Sequence, residues 1–360
     1  MGLPINQTEW QFYTTSKDAW MGMLEACRSA QLSIDFEQFY FIPNSIAREF
    51  IEVLIRKSKE GVKVRCLFDS VGSFPFSQSI YPDILEHTNV QVRFFNWLLP
   101  FSRGNKRLLY FRNHRRNLVV DKKIAFTGGV CISDKMKDWR ETHLKISGPV
   151  VEQMMTAFDS SWAKAHKRSI RFSKDTKTDI DGFTYSTHAP LPRQRFLYYR
   201  LIDAIRQAQR YIYLSTPYFL PDNRLLRVLI LAKRRGVDVR LLVPHESNHP
   251  IVDIGGRTYF HQLLISGIRI FRYKGMNHAK TAVIDGDWSM VGSLNLDNVS
   301  LRYNFEAAIV STNKKFASQL ERQFLIDIIN SYELISEDWQ KRSVLKKFWE
   351  AVVWPIRKFL

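Results

Sequence analysis

Residues 34–65 read IDFEQFYFIPNSIAREFIEVLIRKSKEGVKVR, and residues 212–240 read IYLSTPYFLPDNRLLRVLILAKRRGVDVR. Tyr40-Phe41-Ile42-Pro43 answers Tyr218-Phe219-Leu220-Pro221, and Gly61-Val62-Lys63-Val64-Arg65 answers Gly236-Val237-Asp238-Val239-Arg240. Each stretch opens with a short β-rich run and turns at a proline. An amphipathic helix (45–60 and 223–235) then stops at a glycine, and a valine-rich strand resumes at once. Gly at the helix C′ position and the switch of period from 3.6 to 2 are the marks of a β-α-β unit.

Working outward, a second pair of segments matches. His114-Arg-Arg-Asn-Leu-Val-Val-Asp121 aligns with His278-Ala-Lys-Thr-Ala-Val-Ile-Asp285, and the small-residue turns Gly128-Gly129 and Gly292-Ser293 follow. The distance from histidine to the first turn glycine is 14 residues in both, and Glu141 and Glu306 stand 27 and 28 residues beyond their histidines. Agreement in spacing as well as composition makes the chain an internal duplication. The repeats are expected at 1–166 and 189–335, joined by a polar linker at 167–188 and followed by a basic segment at 336–360.

In HxKxxxxD on a strand, residues two apart leave the same face of the sheet, so an imidazole and a cation point together. The cation suits a nonbridging phosphate oxygen while the ring nitrogen attacks phosphorus. One copy is half a site; two copies meeting across a domain interface supply a nucleophile and a general acid. A carboxylate on the far ring nitrogen would fix the tautomer and steady the imidazolium, with Glu141 and Glu306 as candidates. Plainer roles compete. Asp121 and Asp285 end strands and are read first as anchors of the motif, then as catalytic groups. Gly129 and Ser293 are turn residues or phosphate contacts. His245 and His249 have the i,i+4 spacing of a metal pair, but nothing completes a ligand set, so no metal or cofactor is expected. Tyr40 and Tyr218 read as core or rim aromatics.

The paired motifs resemble those of the phospholipase D superfamily, and within it the bacterial cardiolipin synthases. The second half carries the resemblance most continuously, through HPIVDIGGRTYFHQLLISGIRI, HAKTAVID and VGSLNLDNVSLRYNFE; the first half contributes FRNHRR, TGG and WRETH. The resemblance implies two pseudo-symmetric α/β domains, mixed β-sheets flanked by helices, with the active site at their interface. It implies metal-independent phosphatidyl transfer through a phosphohistidine, with His114 as nucleophile, His278 as acid, and Arg116, Lys280 and Asn295 on the phosphate. Two positions depart from the pattern. Arg116 stands where the family has Lys and Cys131 where it usually has Asn. Arg keeps the charge but not the shape of an ammonium, and a thiol is a weak donor.

The chain has 360 residues and 53 Lys plus Arg against 35 Asp plus Glu, a net charge of +18. That surplus predicts a polyanionic partner, nucleic acid or an anionic membrane. Cys27, Cys66 and Cys131 form neither a disulfide framework nor a zinc cluster, which fits a reducing compartment. No apolar window is long enough to span a bilayer, and no signal peptide is read at the start. Residues 341–360, KRSVLKKFWEAVVWPIRKFL, carry six basic residues against Glu350. Leu345, Phe348, Trp349, Val352, Val353 and Ile356 recur there at helical spacing, the signature of an interfacial anchor or of a helix packed on the second domain. The one-sided charge favours the anchor. Phe94–Gly104, FFNWLLPFSRG, is a second apolar segment that inserts near the site or packs in the core. The resulting expectation is a short-form enzyme, peripheral on the cytoplasmic face of the inner membrane, acting on phosphatidylglycerol-like anionic lipids. Nucleic acid is the disfavoured partner. A lipid hydrolase, a nuclease and a degenerate lipid-binding protein are the competing functions.

Overall fold

Short β-rich segments, most of them four to eight residues long, build two mixed sheets in a computed structural model. The structure describes residues 7–96, 110–167, 178–357 and 360. The first sheet has seven strands in the spatial order Glu9–Thr15, Arg140–Ser147, Ile124–Gly128, Asn117–Val120, Ser33–Gln38, Lys63–Asp69, Gln91–Phe95. Ser33–Gln38 is buried at every position, as a central strand covered on both faces must be. The second sheet repeats this order: Phe183–His188, Asn304–Ser311, Trp288–Gly292, Thr281–Ile284, Tyr211–Ser215, Asp238–Pro244, Arg269–Tyr273, with Ser331–Glu333 added at the edge. The two β-α-β units are present, with helices Ser45–Lys59 and Asn223–Arg234 ending at Gly61 and Gly236 in left-handed conformations (φ 88° and 93°) that other residues adopt at a cost.

The linker expectation needs correction. Residues 183–188 form the strand that opens the second repeat and pair antiparallel with Asn304–Ser311. FTYSTH hides this by its hydroxyls, although its side chains alternate, and five of its six residues are buried. Residues 168–177 of the expected linker lie outside the described residues, as does most of the apolar Phe94–Gly104 segment (residues 97–104).

The halves are not beads on a string. Val119, Leu144 and Ile146 of the first share a core with Val283, Val291, Ile309 and Phe316 of the second. Arg140 grips Asp327 across the junction with both carboxylate oxygens, at 2.8 and 2.7 Å. The two motif-bearing segments are also exchanged. Arg112–Asn113, immediately before His114, pairs in parallel with Asn304 and Phe305 of the second half, and Arg140 of the first half bridges Asn277, immediately before His278. Each histidine is therefore hung on the other half's glutamate strand.

At the C-terminus, helix Val344–Val353 packs on helix Pro250–Ile265, where Val353 and Leu360 close over Gly255. Of the apolar stripe, Val353 alone is buried; Leu345, Phe348, Trp349, Val352 and Ile356 are 45–65% exposed. No helix among the described residues is long and apolar enough to cross a membrane.

Candidate active site

The exchanged strands bring both histidines into one buried centre, and the carboxylates come with them crosswise. Nδ1 of His114 hydrogen-bonds Oε1 of Glu306 at 2.7 Å. Nδ1 of His278 hydrogen-bonds Oε1 of Glu141. Spacing along the chain offered both glutamates without saying which served which histidine; the parallel strand pairing decides it. Gly129 has no side chain because Glu141 lies against it: a Cβ there would sit 2.4 Å from Oε2.

The cations are equally deep, Arg116 at 2% and Lys280 at 1% exposure. Each donates to the backbone carbonyl of its own histidine, Arg116 Nη1 to His114 at 3.0 Å and Lys280 Nζ to His278 at 2.6 Å. Arg116 reaches further. Its Nη2 donates to Nε2 of His114 at 2.8 Å. Guanidinium is always a donor, so Nε2 holds a lone pair and Nδ1 carries the proton given to Glu306. No described hydrogen bond engages Nε2 of His278.

Burial, then the charges of Arg116 and Lys280, hold His114 well below the usual imidazole range; burial, then Lys280 and Arg116, do the same to His278. Burial likewise lowers Lys280 to about 7, although Glu141 pulls the other way. Burial raises Glu141, and raises Glu306 to about 8 against the hydroxyl of Ser293, the charge of Arg116 and the amide of Asn304.

The phosphate contacts expected of Ser293 and Asn295 look different in place. The Ser293 hydroxyl donates to Glu306 and accepts from the amide of Ala307, so it orients the carboxylate. Asn295 is buried with its Oδ1 unpartnered, and its side chain hydrogen-bonds Asp297, a carboxylate close enough to feel the charge of Glu306. Asp121 and Asp285 are not brought to the site. They stand at the far ends of the strands from the histidines, with φ of 52° and 54°. Asp121 accepts from the amides of Gln31, Leu32 and Ser33, and Asp285 from those of Gln209, Arg210 and Tyr211. They pin the end of each motif strand to the loop before the neighbouring one.

Two walls of the site went unread in the sequence. Phe39 packs edge-on to His114 with ring centres 4.6 Å apart, and Trp139 lies 5.2 Å from His278, with Tyr218 at 6.3 Å. Phe39 precedes Tyr40 in the first repeat where Pro217 precedes Tyr218 in the second. A register comparison of the repeats was the signal available.

The two departures from the family pattern touch each other. Nε of Arg116 donates to Sγ of Cys131 at 3.0 Å. Fifteen residues separate Arg116 from Cys131 and Lys280 from Asn295, so the arginine–cysteine pair holds the place of the lysine–asparagine pair opposite. The small thiol leaves room for the guanidinium and accepts its Nε–H. Arg116→Lys and Cys131→Asn should therefore each lower kcat/KM about tenfold, while the double variant returns to within about threefold of the parent, a coupling of the size seen for touching residues. Additive losses in that cycle would show that the two act independently.

Solved structures share this architecture. Phosphatidylserine synthase of Haemophilus influenzae Rd KW20 superposes with a TM-score of 0.74 at 14% identity, covering 98% of this chain and 95% of that one. Polyphosphate kinase of Porphyromonas gingivalis gives 0.62 at 14% identity, covering 92% of this chain and 49% of that one. The fold is the two-lobed phospholipase D-like α/β fold. A family profile described as cardiolipin synthase, PLD-like domain, matches residues 23–162 and 201–328. Cardiolipin synthase A of Pseudomonas putida is 33% identical over 90% of this chain and 68% of its own length, and the cardiolipin synthase of Listeria innocua is 32% identical over 96% and 74%. The chain belongs to the cardiolipin synthase family of the phospholipase D superfamily, and it is an enzyme of the phosphatidyltransferase class.

Proposed function

We propose that the enzyme makes cardiolipin from two molecules of phosphatidylglycerol through a phosphohistidine. The observation that carries this reading is the crossed pair of His–Glu contacts lying beside two buried cations. Nε2 of His114 attacks phosphorus as Arg116 and Lys280 take the nonbridging oxygens. The N–P bond forms, the P–O bond to the terminal glycerol breaks, and the His278 imidazolium, its charge met by Glu141, gives its Nε2 proton to the departing oxygen and becomes neutral. The primary hydroxyl of a second phosphatidylglycerol then gives its proton back to His278 and attacks phosphorus, releasing His114. Arg116 supports this order. By donating to Nε2 of His114 it keeps the lone pair a nucleophile needs, whereas Nε2 of His278 is left open to take a proton.

The exposed apolar face of helix Val344–Val353, set among the six basic residues of 341–360, supports peripheral attachment to an anionic bilayer. Incubation with phosphatidylglycerol vesicles, followed by lipid mass spectrometry, should give cardiolipin and free glycerol at equal rates with and without EDTA. Phosphatidic acid as the product would replace the lipid acceptor by water, and no conversion at all would overturn the assignment.

The rate should be bell-shaped in pH. On the acid side Glu306, raised by burial, takes up a proton and His114 loses its acceptor; on the alkaline side Lys280, lowered by burial, gives up the charge that holds the phosphate. The apparent values belong to the coupled cluster. Lys280→Arg should carry the alkaline limb upward, because a guanidinium does not titrate there. An alkaline limb unmoved in that variant would assign it elsewhere.

A further inference from the structure

Beside the active site, Tyr218 shares a small cleft with His245, Asp253, Arg257 and Arg272. Arg257 and Arg272 also line a second cleft, of about 290 Å³, which opens under the C-terminal helix and is completed by Trp339, Arg342 and Lys346. The two guanidiniums thus stand between the rim of the catalytic centre and the exposed face of that helix. No described ion pair takes up their charge, although Asp253 of the first cleft stands near both and Glu246 near Arg272. Arg342 is paired with Glu350, and Glu333 of the same cleft with Arg269. No described ion pair engages Arg257, Arg272 or Lys346, and Asp338 is the acid of this cleft with no described arginine partner. Arg272 spends one donor on the carbonyl of His245 and is half-buried, so it is held in place rather than solvated at the end of a loose chain. Next to Lys346, the side chains of Leu345, Phe348 and Trp349 face outward, 65, 56 and 49% exposed.

Arg257 and Arg272 repel one another, with Asp253 the carboxylate described near both, so a further anion between them is favoured, and a guanidinium fork matches phosphate oxygens. The apolar rim says where that phosphate comes from, because acyl chains continue from a headgroup and free phosphate has none. We propose that Arg257, Arg272 and Lys346 form a docking site for the headgroup phosphate of an anionic phospholipid, which seats the C-terminal helix on the bilayer beside the catalytic centre. The proposal rests on the membrane reading above and adds to it a specific headgroup site.

The test uses the full chain and vesicles of phosphatidylcholine containing a fixed fraction of phosphatidylglycerol. Arg257→Gln with Lys346→Gln removes two charges from the cleft; Lys341→Gln with Lys347→Gln removes two from the same segment outside it. Partition onto the vesicles should fall about tenfold further for the cleft variant than for its charge-matched control. Arg257→Lys with Lys346→Arg should restore partition to within about threefold of the parent, which separates loss of the site from loss of the fold. Equal losses in the two Gln variants would overturn the proposal and leave only diffuse attraction. If millimolar inorganic phosphate erases the difference, the cleft takes soluble phosphate and the lipid assignment falls. Cardiolipin formation by the parent is scored separately: its absence would count against the transfer reaction, whereas unequal partition would still stand for the cleft.

Discussion

His114→Ala should abolish phosphatidyl transfer, with a loss on the order of 10⁶-fold, the scale on which removing a nucleophile disables an enzyme that works through a covalent intermediate. His278→Ala should lose about 10²–10⁴-fold, the usual worth of a positioned acid. The difference becomes qualitative with a substrate whose leaving group needs no proton, such as a nitrophenyl phosphodiester. There the His278 variant should still release the phenol in a burst and accumulate acid-labile phosphohistidine, while the His114 variant releases none. The asymmetry comes from Arg116, which donates to Nε2 of His114 and so keeps that nitrogen unprotonated, while Nε2 of His278 has no such donor. A burst in the His114 variant and none in the His278 variant would exchange the two roles. Normal rates in either would end the two-histidine mechanism.

The sequence carried the repeat because repetition reports on itself: two β-α-β units and two spaced motifs agree position by position, and the two sheets then have the same strand order. It could not carry the crossing. His114 and Glu306 are 192 residues apart, and nothing local tells a reader that a two-residue strand leaves its own sheet to pair with Asn304 and Phe305. Strand pairing is a non-local choice made by a shared core, here the one that joins Val119 and Leu144 to Val283 and Ile309. The aspartates show the opposite case. Asp121 and Asp285 fall in the motif but end its strands, so anchoring is read ahead of chemistry, and in place each lies in a left-handed turn and accepts from three backbone amides. The contact between Arg116 and Cys131 was hidden because each was compared with a family pattern singly. Read together at their common fifteen-residue spacing, they are one substitution made in two places.

Glu306→Gln should lower turnover about 10³–10⁴-fold without unfolding the protein, the range expected when a carboxylate that fixes a histidine tautomer becomes an amide. Among the described donors, Nδ1–H of His114, the hydroxyl of Ser293 and the side-chain amide of Asn304 converge on Glu306. A carboxylate accepts all of them; a glutamine brings an N–H of its own, which either meets the Ser293 hydroxyl, turned to the carbonyl of Ala307, or faces His114. If that N–H faces His114, Nδ1 becomes the acceptor and the ring proton moves to Nε2, against the guanidinium of Arg116. The lone pair is then lost from the nitrogen that attacks. Glu141→Gln removes the carboxylate that steadies the His278 imidazolium, but Nε2 of that ring meets no such fixed donor and can still take and give a proton, so the loss should be smaller, about 10²-fold. The acid limb of the pH profile separates these effects from a general weakening of the site. It should disappear in the Glu306 variant, which has no carboxylate to protonate, and persist in the Glu141 variant. Equal losses, with the acid limb intact in both, would mean that the glutamates merely fill space beneath the histidines, and the crossed pairing would then serve the fold rather than the reaction.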